Sequence, residues 1–86
     1  MNQSIQFTER EWWDENLQAV CFCALADGFQ LVCAIKGAML LQCYPEQEHA
    51  MSAFHAHRWD LEEDATKLIK MQKEDAQGWV WLNSVR

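Results

Sequence analysis

Four cysteines, Cys21, Cys23, Cys33 and Cys43, and three histidines, His49, His55 and His57, are the side chains best suited to nucleophilic or metal chemistry. A thiol attacks a substrate or holds zinc only as the thiolate, so what surrounds each cysteine decides its use. Cys21-Phe22-Cys23 is C-x-C and lacks the C-x-x-C spacing of a redox pair. If the flanking residues are strands of one hairpin, Cys33 falls on the face opposite Cys21 and Cys23, which speaks against a shared zinc. His55 and His57, two apart on a helix, point about 200° away from each other and cannot hold one metal. There is no G-x-S-x-G, no H-E-x-x-H and no glycine-rich phosphate loop. No catalytic residue, metal or cofactor is therefore expected. A small thiol- or metal-dependent enzyme using Cys and His stays as the rival reading, and it needs the fold to bring Cys33 or Cys43 beside a histidine.

Asp60, Glu62, Glu63 and Asp64 lack the D-x-D-x-D-G order of a calcium loop and read as a solvated helix face. Arg58 sits on an otherwise apolar stripe. It either recognises a carboxylate or phosphate, or lays its stem on the core and pairs with Glu62 one turn later. Five tryptophans, Trp12, Trp13, Trp59, Trp79 and Trp81, have no interleaved Lys or Arg to make a base-stacking surface, and read as core and rim packing. The formal charge of −6 points the same way, since nucleic acid and anionic membrane both attract a cationic surface. No apolar stretch approaches the ~20 residues that span a bilayer, and Met1 to Ile5 carry no basic n-region before an apolar one. A cytoplasmic protein with reduced thiols is expected.

The elements that position these residues follow from periodicity. Eighty-six residues, half of them hydrophobic, make a single α+β domain over 1–86. Ile5-Gln6-Phe7 reads as a short strand, and Thr8 with Glu11 as a capping box for one helical turn, with an irregular loop as the other option. Asp27-Gly28 between two apolar runs marks a hairpin over 17–36, pairing Val20 with Ile35, Phe22 with Cys33, Ala24 with Leu31 and Ala26 with Phe29. Residues 37–44 read as a helical turn or a further strand. From Pro45, the stripe Met51, Phe54, Arg58, Leu61, Ala65, Leu68 and Gln72 predicts one long helix over about 46–75, closed at Gly78. At 1.5 Å per residue it would run ~45 Å, so it must protrude or bend. Trp79 to Leu82 closes the chain as a strand. The expected fold is a small antiparallel sheet of about four strands, with the hairpin central and the helix across one face.

One helix covers one face of such a sheet. The other face of the hairpin, Ala19, Cys21, Cys23, Leu25, Gln30, Val32, Ala34 and Lys36, is apolar for a solvated sheet surface. Either the Trp12-Trp13 segment and residues 38–44 cover it, or a partner does, a homodimer being the simplest. Cys21, Cys23, Leu25 and Val32 on that face, with Arg58 and Trp59, are the candidate interaction residues. A non-catalytic accessory or protein-interaction domain is the leading function.

The pattern Val20-x-Phe22-x-Ala24-x-x-x-Gly28-x-x-x-x-Cys33-x-Ile35 resembles a family of short proteobacterial proteins, domain of unknown function 1488. So do Trp13-Asp14, Arg58-x-x-Leu61-Glu62-x-x-Ala65 and Gly78-Trp79-Val80-Trp81-Leu82. The resemblance implies a bacterial cytosolic α+β domain and carries no activity, cofactor or catalytic residue to any position.

Overall fold

Asp27 and Gly28 both take positive φ, 52° and 86°, as the two central residues of a tight hairpin turn require. The strands on either side pair in the predicted register, Val20 with Ile35, Phe22 with Cys33, Ala24 with Leu31 and Ala26 with Phe29. A computed structural model describes residues 4–82 of the chain. Its elements are β1 (Ile5–Asp14), β2 (Ala19–Ala26), β3 (Phe29–Lys36), α1 (Gly37–Cys43), α2 (Ala50–Ala56), α3 (Arg58–Lys70) and β4 (Trp79–Trp81). The protein is α+β, with a four-stranded sheet in the order β1-β2-β3-β4.

The predicted helical turn after Phe7 is strand instead. β1 runs unbroken as an edge strand antiparallel to β2, and four residue steps from Phe7 to Glu11 oppose only two from Ala24 to Phe22. This bulge absorbs the extra residues without changing face, because an even insertion preserves the two-residue alternation of a strand. Glu11 and Trp13 therefore face the same side as Phe7, and Trp12 faces the other.

The sheet is mixed, not purely antiparallel as expected, since β4 runs parallel to β3. A chain that leaves β3, crosses one face through helices and returns to the same end can add its next strand only in parallel.

The single long helix expected over about 46–75 is two, α2 and α3. α1 resolves the ambiguous stretch after Gly37, and the run from Pro45 reaches regular helix only at Ala50. His57, at φ −121° and ψ 24°, ends α2 and begins α3, and its ring stacks on Tyr44 at 3.6 Å between centroids. A straight 46–75 rod would pass beyond a sheet this small. The break lets Phe54 of α2 and Leu61, Ala65 and Ile69 of α3 all bury against it. α3 stops at Lys70, well before Gly78, because Gln72 takes φ 56° and Lys73 N–H bonds back to the Leu68 carbonyl.

Every buried helical side chain joins one cluster with Val20, Phe22, Ala24, Cys33 and Ile35 of the hairpin and Val80 of β4. Phe22 and Phe54 meet at its centre, their rings 5.0 Å apart. Met51 and Leu68 of the predicted stripe pack on its margin, while Phe29, at the hairpin tip, is 75 % exposed and contributes little to it. All three helices thus lie on one face of the sheet.

Candidate functional site

The helix-free face of the sheet carries Ala19, Cys21, Cys23 and Leu25 from β2 and Gln30, Val32, Ala34 and Lys36 from β3, as the alternation predicts. The flanking strands finish it. Trp12 of β1 lies beside Cys21, and Trp79 and Trp81 of β4 lie beside Val32 and Ala34. Small side chains form the middle, and indoles stand at both edges. Ala19, Cys21 and Ala34 have no exposed surface and Cys23 has 1 %, whereas Leu25, Val32 and the three tryptophans stay half-exposed. Trp79 and Trp81 stack at 6.1 Å, the Arg10 guanidinium lies 5.1 Å from the Trp12 ring and the Lys36 ammonium 5.2 Å from that of Trp81. Of the expected covering segments, Trp12 does lie on this face. Trp13 and α1 belong to the opposite one.

Cys21 and Cys23 therefore sit in the floor of this surface and do not project from it. Burial, with smaller effects from Asp14 and Cys23, pushes the Cys21 thiol up to about 11. Burial, assisted by Cys23, pushes Cys33 up to about 12 on the other face. A thiol that resists ionisation is a poor nucleophile and a poor metal ligand. No cysteine is in a disulfide, and no group of three or more metal-ligating side chains gathers among the described residues.

Arg58 takes the structural role. Its Nε donates to Glu62 Oε2 at 2.7 Å, one η nitrogen to the Thr8 carbonyl at 2.6 Å and the other to Glu11 Oε1. Glu11 Oε2 accepts from His55. The guanidinium thus binds the β1 bulge through a carbonyl the bulge leaves outside the sheet and through the carboxylate the bulge turns inward. Partial burial alone would lower the Arg58 pKa, but the bonds from Glu62 and Glu11 outweigh it and hold the pKa above its ordinary value. The planar fork of a guanidinium suits such a cluster, and each of its three nitrogens already bonds within it. Trp59, the next residue, is 83 % exposed and borders a hollow of about 280 Å³ shared with Phe7, Glu62 and Thr66.

A larger cleft of about 540 Å³ opens at the other end of the helical layer. Trp13, Gly37, Leu41 and Met51 make its apolar walls, with Glu48 and His49 at the rim. Sequence reading missed this cleft, and it missed Trp79 and Trp81 as members of the helix-free face. The Trp-Val-Trp alternation marked a strand, but its partner strand sets which side the indoles take.

The comparisons agree with this two-layer geometry. The chain is 56 % identical to the uncharacterized protein YrdB of Escherichia coli, over 95 % of this chain and 99 % of that protein. It is equally similar to YrdB of Shigella flexneri, with the same coverage. A crystal structure from Shewanella loihica, described as a protein of unknown function, shares 38 % identity with a TM-score of 0.87, covering 95 % of this chain and 94 % of its own. Residues 5–82 match the model of the family described as protein of unknown function (DUF1488), and the chain belongs to that family.

Proposed function

We propose that this protein is a non-catalytic interaction domain whose working surface is the helix-free face of its sheet. The observation that carries the reading is the composition of that face: Trp12, Leu25, Val32, Trp79 and Trp81 surround a fully buried floor of Ala19, Cys21, Cys23 and Ala34. Solvated sheet faces alternate to polar residues, and this one does not. Tryptophans at the margin of an apolar patch are the side chains most enriched at protein-protein contacts. Catalysis finds less support. The cysteines on the sheet are buried, and burial makes Cys21 and Cys33 resist ionisation, while the Arg58 guanidinium already bonds Glu62, Glu11 and the Thr8 carbonyl.

The reading places the protein in the bacterial cytosol, where its thiols stay reduced. The excess of acid makes nucleic acid an unsuitable ligand, and no helix among the described residues is long and apolar enough to cross a membrane. Trp59, exposed on α3, offers a second and smaller contact point.

The test is affinity capture from an E. coli lysate with wild type, Val32→Glu and Trp59→Ala as baits, counting untagged copies of the relative among the proteins held. Wild type and Trp59→Ala should retain the same protein, and Val32→Glu should lose it. Identical captures by all three baits would remove the helix-free face from the function.

A further inference from the structure

We infer that the occupant of the helix-free face is a second copy of this chain, held weakly and face to face. The inference rests on the reading of that face as the working surface and adds the identity of the partner.

Charge points to a second copy. The chain carries a formal −6, yet the face is balanced. Arg10 and Lys36 hold their positive charges over Trp12 and Trp81. Asp14 stands on the same side beside Ala19, and Asp75 at the border bonds the Trp81 side chain. The surplus acid therefore lies elsewhere, and a basic partner would be drawn elsewhere too. Two like-charged chains approach with least repulsion through the neutral surface they share. A two-fold axis parallel to the sheet and midway between two copies lets one patch meet its own copy, with the sheets about 10 Å apart as in sandwiches.

Area sets the strength. Strands about 4.8 Å apart and about eight residues long at 3.3 Å each give a face of roughly 400–500 Å², below the ~800 Å² per partner of a stable complex. That face is the size of the largest apolar patch on a typical monomer, which is often a functional one. The dimer should thus form and dissociate with concentration. Repulsion between the acidic remainders adds a signature, since salt screens it and should tighten the pair. Capture of a basic partner would weaken in salt instead.

The experiment is sedimentation equilibrium of wild type, Val32→Glu and Leu25→Lys between about 10 µM and about 1 mM, a range that covers interfaces of this size. It is repeated at low and high sodium chloride, with circular dichroism to confirm that each variant folds. The 10.1 kDa chain should approach twice its mass at the top of the range, more readily in high salt, and both folded variants should stay monomeric. Indole proton resonances of Trp12, Trp79 and Trp81 should shift with concentration while that of Trp59 stays fixed. Wild type monomeric at 1 mM overturns the second copy while leaving the face open to another protein in the capture experiment. A dimer that survives both variants, or one that salt dissolves, overturns it as well.

Discussion

The indole of Trp13 on β1 lies against the bare Cα of Gly37, the residue at which β3 turns into α1. A methyl group at Gly37 would stand 2.7 Å from Cη2 and 2.9 Å from Cζ3 of that ring, and 3.3 Å from the Ala50 Cβ. Neither neighbour is the loose end of a flexible chain. Gly37 is therefore needed for close approach, and it ties the edge strand to the helical layer. Gly37→Ala should cost about 1–3 kcal/mol, the range of overpacking in a filled core, read as a lower urea midpoint at unchanged slope. A variant as stable as wild type would show that the ring moves aside freely.

Phe54 has no exposed surface and meets Phe22 across the core. Phe54→Ala should cost about 3–5 kcal/mol, a large part of the stability of so small a domain. Loss of the cooperative thermal transition, or a fall of well over ten degrees, is the expected result. A melting temperature within a few degrees of wild type would mean that the helical layer is held by other contacts.

Arg58→Lys should behave almost as Arg58→Ala. A point ammonium cannot reach Glu62, Glu11 and the Thr8 carbonyl together as the guanidinium does. Each charge-assisted bond contributes on the order of 1.5–3 kcal/mol when buried and less with solvent access. With the Arg58 side chain 27 % exposed, about 1–2 kcal/mol is expected for either variant. A double-mutant cycle with Glu11→Gln should return a coupling above about 0.5 kcal/mol. Additive effects would reduce the contact to surface proximity.

The buried thiols set an alkaline limit. Cys21 and Cys33 are raised from an ordinary 9.0 to about 11 and about 12, both chiefly by burial. The unfolded chain releases these protons first, so it binds fewer protons than the native state above pH 9 and stability falls with rising pH. The contribution is complete below pH 9 and is lost as pH climbs toward 11 and 12. Cys21→Ser and Cys33→Ser should flatten that part of the profile. At neutral pH a thiol reagent should label half-buried Cys43 quickly and the other three only as fast as the protein opens. Rapid labelling of Cys21 or Cys33 would restore the thiol-enzyme reading.

Local chemistry alone determined the centre of this protein. Asp27-Gly28 dictates a two-residue turn, the turn dictates the register of β2 and β3, and the register assigns Phe22 and Ile35 to one face and Cys21 and Val32 to the other. The stripe through Phe54, Leu61 and Ala65 dictates helix against that face, because only burial of such a stripe makes it stable. The sequence likewise holds no G-x-S-x-G, H-E-x-x-H or glycine-rich phosphate loop from which a catalytic site could be read.

Only the tertiary structure decided the rest, and in each case a distant residue was responsible. Thr8 and Glu11 read as the capping box of a helical turn, with an irregular loop as the other option. β2 makes them strand, and Arg58, far along the chain, binds the bulge that results. Nothing within residues 46–75 required a break at His57 rather than elsewhere. The stack of that ring on Tyr44 and the short span of the sheet place it there. Trp79 and Trp81 received their face from pairing with Val32 and Ala34, which no alternation within β4 could specify. An isolated strand has two equivalent sides, and the sheet it joins makes one of them inside.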